Sequence, residues 1–92
     1  MSAAITLEGD RIKVVGSDLG DGGKLDLEVR ERAANGDGRT ARYRLAIAAD
    51  DHPLYPMGAV DWDEPLAFGT GTVEVILSDG PEVLATEVFH CG

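Results

Sequence analysis

Apolar and polar residues alternate with a period of two along much of this 92-residue chain, and no stretch keeps a 3.6-residue period long enough for a helix. The first alternating pair is Ile5-Thr6-Leu7-Glu8 and Arg11-Ile12-Lys13-Val14-Val15, separated by Gly9-Asp10. A two-residue connection with glycine first suits a type II′ hairpin turn. Its register can be read directly. Glu8 falls opposite Arg11, Leu7 opposite Ile12 and Ile5 opposite Val14, so apolar residues meet on one face and unlike charges meet at the turn.

Residues 16–23 hold four glycines and two aspartates and read as a loop. A second hairpin follows, from Lys24-Leu25-Asp26-Leu27-Glu28-Val29-Arg30 to Arg42-Tyr43-Arg44-Leu45-Ala46-Ile47-Ala48, with a turn cluster at residues 34–38. Leu25, Leu27, Val29, Tyr43, Leu45 and Ile47 form its core face. The third joins Thr72-Val73-Glu74-Val75-Ile76-Leu77 to Glu82-Val83-Leu84-Ala85-Thr86-Glu87-Val88-Phe89 through Ser78-Asp79-Gly80-Pro81. Ile76 and Leu84 interrupt its polar positions, so this hairpin is covered in part on both faces or carries a bulge near its turn.

Three hairpins, each with one apolar face, predict a single all-β domain over residues 1–92: a small antiparallel β-sandwich or partly open barrel of about six strands. The exception is residues 49–71, which contain Pro53, Pro56 and Pro65 and alternate only over Met57-Gly58-Ala59-Val60-Asp61-Trp62. A connection that long is either functional or hides an element.

Charge changes the picture. The net charge is −9, yet all eight basic residues precede residue 45, where eight acids balance them. Residues 45–92 hold no Lys or Arg and supply the whole −9. A surface of one sign repels phosphate, which disfavours direct nucleic-acid or anionic-membrane binding there. A basic stretch followed by a long apolar run is missing from the N-terminus, and no segment reaches the roughly 18 apolar residues of a membrane span. Lone Cys91 provides neither an internal disulfide nor a zinc site, so a cytoplasmic location is expected, with a virion as another setting.

Catalytic signatures are absent: no nucleophile elbow, phosphate loop, dinucleotide fingerprint or zinc-ligand set is present. The chain is therefore expected to be no enzyme and to need no cofactor. Asp18, Asp21, Asp26 and Asp37 stand in or beside glycine-rich turns, but their spacing matches no calcium loop. Residues 49–71 concentrate Tyr55, Trp62 and Phe68 with Met57 and the acids Asp50, Asp51, Asp61, Asp63 and Glu64. Aromatic and apolar anchors ringed by acids suit contact with a basic protein partner, and Trp62 or Phe68 reads equally well as a plug for an open end of the sandwich.

If the core faces of the second hairpin align, Arg32 falls opposite Arg42 and Arg30 opposite Arg44, an unfavourable pairing that an acidic partner would relieve. The acidic half of a second copy is one such partner; Asp26, Glu28 and Glu31 within the sheet are another. The expected function is thus a structural or protein-interaction domain, a subunit or adaptor of a larger assembly of which phage-like particles are one example. Alternatives are an acidic nucleic-acid mimic that blocks a basic site on another protein, and an ancillary sugar- or calcium-binding β-module.

Overall fold

The computed structural model describes residues 2–20, 22–32, 38–66 and 71–91. Their strands are β1 (Ser2–Glu8), β2 (Arg11–Ser17), β3 (Lys24–Arg32), β4 (Thr40–Ala46), β5 (Val60–Pro65), β6 (Gly71–Asp79) and β7 (Glu82–Cys91). The first hairpin has the register that turn and alternation predict, with Glu8 facing Arg11, Leu7 facing Ile12 and Ile5 facing Val14. Gly9 has φ +63° while Asp10 keeps a negative φ, the combination a type II′ turn requires.

The second hairpin departs from expectation. Its core face is the predicted one, but the register is displaced by four residues, so that Asp26 faces Arg44, Glu28 faces Arg42 and Arg30 faces Thr40. Arg32 does not lie opposite Arg42, nor Arg30 opposite Arg44. A displacement of four keeps every apolar side chain on its own side of the sheet while exchanging like-charge neighbours for unlike ones. In the third hairpin the ladder slips between Leu77 and Ser78, a bulge next to the turn at Gly80-Pro81.

Seven strands form two antiparallel sheets, β1-β2-β5 and β4-β3-β6-β7. The strand beyond the expected six is β5, which emerges from the proline-containing connection and pairs with β2, setting Trp62 opposite Val14 and Asp63 opposite Lys13. The Cα trace measures 46 × 28 × 17 Å, and its thinnest dimension matches two sheets stacked about 10 Å apart. Between them lie Ile5, Ile12, Val14 and Val60 from one sheet and Leu25, Leu27, Val29, Leu45, Val73, Val75 and Leu77 from the other. Among the described residues no polar or charged one is buried.

At one side of the sandwich β1 runs beside β7 and at the other β4 approaches β5, neither pair being joined by a ladder. The β4–β5 side is a seam. The backbone polarity at the seam follows from the bonds next to each strand. Glu31 N–H donates to Arg39 and Ile47 N–H to Gly23, which turns the odd-numbered residues of β4 toward β3 and leaves the backbone groups of Thr40, Arg42, Arg44 and Ala46 outward. Leu66 N–H likewise donates to Asp10, leaving Asp61, Asp63 and Pro65 outward on β5. Charges and a proline on such edges deter pairing with another chain.

Residues 49–59 connect the two sheets across the end of the seam as a compact loop with a tied neck. Gly58 N–H donates to Ala48 at 2.8 Å, Ala48 N–H to Ala59 at 2.9 Å and Leu19 N–H to Gly58 at 3.0 Å. Gly58 has φ +86°, and a Cβ there would stand 2.9 Å from Leu19 N and 3.0 Å from Gly20 O. Gly58→Ala is expected to destabilise the domain by about 2–4 kcal/mol, combining left-handed strain with displaced backbone. Gly9→Ala, at φ +63° with nothing within 4 Å, meets strain alone and should cost about 1–2 kcal/mol. Thermal unfolding of both variants by circular dichroism checks the difference.

Candidate functional site

Two surfaces hold the residues singled out from the sequence. The first is the outer face of the larger sheet, which brings Arg30, Arg32, Arg42 and Arg44 to one side of the molecule, all exposed. Each has an acidic neighbour within the sheet. Arg30 Nε donates to Glu28 Oε1 at 2.6 Å and Arg32 Nη2 to Glu74 Oε2 at 3.2 Å. Arg42 stands 3.9 Å from Glu28, Arg44 stands 3.4 Å from Asp26, and Arg30 also reaches Glu74 at 3.9 Å. Glu28 and Glu74 thereby link Arg42, Arg30 and Arg32 into one chain of alternating charge. The Arg30 hydrogen bond holds the Glu28 carboxyl below its ordinary range, and Arg39 does the same for Glu31 at the end of β3. The patch is largely, though not fully, neutralised from within, three carboxylates standing against four guanidinium groups.

The second surface lies at the β4–β5 seam. Trp62 is half-buried on the inner side of β5 and meets Tyr43 of β4 with ring centroids 5.1 Å apart and planes at 57°. This tilted pair bridges the two sheets where the backbone does not. Trp62 thus fills an end of the sandwich and also presents a wall to the outside. On one side of the pair Ile12, Val29 and Leu66 pack without room for a water. On the other side an open cleft of about 240 Å³ lies between Ala46, Ile47, Ala48, His52, Tyr55, Ala59, Asp61 and Trp62.

The tied loop supplies the far wall of this cleft. His52 Nδ1 accepts the backbone N–H groups of Leu54 at 3.1 Å and Tyr55 at 3.0 Å, so Nδ1 is unprotonated and the ring proton sits on Nε2. The His52 ring leans on Tyr55 with centroids 5.3 Å apart. Tyr55 O–H donates to Asp61 Oδ2 at 3.2 Å, tying loop to strand. That bond and the Asp61 charge stabilise the neutral phenol and raise the Tyr55 pKa above its usual 10.0. Around this frame Leu54 is 81% exposed, Met57 53% and Tyr55 41%.

Of the residues expected to bind a partner, Tyr55, Asp61 and Trp62 come together at the cleft and Met57 stands on the same loop. Asp63 points to the outer face of the smaller sheet, where Arg11 Nε donates to it at 3.0 Å. Leu54 and His52 also belong to the surface and went unpredicted, and Ile47, expected in the core and buried there, lines the cleft as well. For Leu54 the signal was legible: a large apolar residue between Pro53 and Tyr55-Pro56 has no strand in which to hide.

Among the described residues no group of three or more His, Cys, Asp or Glu could hold a metal. Asp26 is engaged by Arg44, while Asp21, Asp37 and Phe68 lie outside the described residues. Exposed His90 sits 3.2 Å from Thr72 Oγ1 through Nδ1. No helix among the described residues is long and apolar enough to cross a membrane.

Two titrations test this geometry. Glu28 has a folded pKa depressed below 4.5, so its contribution to stability is full above that value and disappears as pH falls through the folded pKa. Wild type is expected to unfold at higher urea than Glu28→Gln at about pH 6, and the gap should narrow and then close as pH falls through the folded pKa of Glu28, as read from denaturation midpoints. For Tyr55, Asp61→Asn removes the charge that favours the phenol. Its phenolate absorbance should then develop at lower pH than in wild type, with Tyr55→Phe identifying the transition. No family model, curated protein or solved structure matches this chain.

Proposed function

We propose that this domain is a non-enzymatic protein-interaction module, a subunit or adaptor within a larger assembly, and that it engages its partner through the 49–59 loop. The observation that supports this reading most is the exposure of Leu54, Tyr55 and Met57 on a loop whose neck and midsection are held by backbone and His52 hydrogen bonds. Water-facing apolar side chains near one another are costly to leave uncovered, and a loop already ordered loses little further entropy on binding. The neighbouring Asp50, Asp51, Asp61 and Glu64 favour a partner surface that is basic around an apolar centre.

Self-association through the arginine face is less well supported. Three of the sheet's own carboxylates already pair with those four charges, so a second copy's acidic half has about one positive charge left to neutralise.

The test is recovery of partners from the protein's own cells by crosslinking and co-purification, followed by affinity measurement on the purified pair. Leu54→Ser with Met57→Ser is expected to weaken binding about 10- to 100-fold, with modest dependence on salt. Reversal of Arg30 and Arg44 to Glu should leave the affinity within about threefold. Full binding by the loop variant would overturn the proposal. A steep loss of wild-type affinity with ionic strength would favour instead an acidic mimic of nucleic acid.

A further inference from the structure

The cleft beside Trp62 has a size and lining that specify a ligand. Its volume of about 240 Å³ is below the roughly 300–1,000 Å³ of sites that enclose drug-sized molecules or cofactors, and it suits a single long side chain. Ala46, Ile47, Ala48 and Ala59 provide an aliphatic surface on which methylene groups can lie, Tyr55 and Trp62 provide aromatic rings, and Asp61 provides a carboxylate. No Lys or Arg of the chain lines it. Apolar surface for a stem, π-faces and one carboxylate for a head are the complement of a basic side chain.

We propose that this cleft receives the ammonium or guanidinium group of one lysine or arginine side chain projecting from a protein partner. The assignment rests on the protein-interaction reading and names the residue class that reading leaves open. Tyr55 occupies one acceptor position of Asp61, and a carboxylate has others, so Asp61 can hold the Tyr55 wall and a bound cation together. The His52 ring accepts the Leu54 and Tyr55 N–H groups through Nδ1 and leans on Tyr55, holding that wall of the cleft in place. Of the nearby basic residues, Arg11 is engaged by Asp63, and Lys13 lies opposite Asp63 on the outer face of the smaller sheet. Lys13 still acts on Tyr55 and opposes Asp61 there, but the Asp61 bond and charge outweigh it, and the acids of residues 50–64 add further negative charge around the cleft.

Trp62 is the chain's single tryptophan, so its fluorescence reports directly from the cleft. The intact protein would be titrated with Nα-acetyl-lysine N-methylamide, the arginine equivalent, the uncharged norleucine equivalent and tetramethylammonium. At least one basic derivative is expected to give a saturable change with a Kd on the order of 1–30 mM, as single-residue fragments with one cation–π contact and one exposed ion pair should. Norleucine should bind at least about tenfold more weakly. Asp61→Asn should weaken the basic ligand about fivefold or more while leaving the urea midpoint near that of wild type, and Leu54→Ser should leave this titration unchanged.

Only linear quenching by the basic derivatives, or an equal response to norleucine, would overturn the cleft assignment. Saturation by tetramethylammonium alone would overturn the side-chain source. If the basic derivatives fail but Leu54→Ser with Met57→Ser still abolishes partner binding, the cleft assignment falls and the module survives; the opposite pair of results refutes the loop.

Discussion

The buried side chains between the two sheets are all apolar, and the remaining features of the molecule are arranged around that constraint. An interior of Ile, Val and Leu supplies burial energy in proportion to area and has no directional bond to satisfy. Such a core enforces parity, with odd and even positions kept to their own faces, but it accepts any strand pairing displaced by two or four residues. Selection among those pairings must come from outside the core. At the first hairpin it comes from a two-residue turn that permits one closure only. At the second, where the connection is longer, it comes from Asp26 and Glu28 finding Arg44 and Arg42 across the strand gap. Individually such pairs are weak, but here they discriminate between alternatives that the interior treats as equal.

The same logic explains what could be read from the residues alone. The face of each hairpin strand and the full register of β1 with β2 were legible, because alternation and a short turn act locally. The bulge beside Gly80-Pro81 was foreshadowed by Ile76 and Leu84, which break the alternation where β6 is covered by neighbours on both sides. The register of β3 with β4 was not legible, since the core pattern is unchanged by a displacement of four. Strand β5 was only half visible. Val60 and Trp62 alternate with Asp61 and Asp63, but prolines on either side mask the pattern, and its pairing with β2 spans some fifty residues of chain that no local rule covers. Of the site, the gathering of Tyr55, Asp61 and Trp62 was foreseeable by proximity in sequence. The contributions of His52 and Ile47 depend on the loop folding back over β4.

The proposed binding surface lies where β4 approaches β5 without a ladder. Neither side of the sandwich is joined by a ladder; β1 runs beside β7 at one, and at the other a tilted Tyr43–Trp62 pair spans from β4 to β5. An aromatic pair closes a gap at one point and leaves space beside it, and the cleft is that space. Placing it next to a loop that must cross from sheet to sheet brings rings, a carboxylate and exposed apolar groups within reach of a single partner. The arginine-bearing face, despite its prominence in the sequence, is the more self-sufficient surface.

The tied neck of the 49–59 loop has a consequence for substitution. Ala48, Gly58 and Ala59 are joined by main-chain bonds that do not depend on which side chains lie between them. Substitutions at crown positions other than His52, whose ring accepts two backbone N–H groups, and Tyr55, bonded to Asp61, therefore carry little penalty for the sandwich beneath. Within the neck, Gly58 is where that freedom stops.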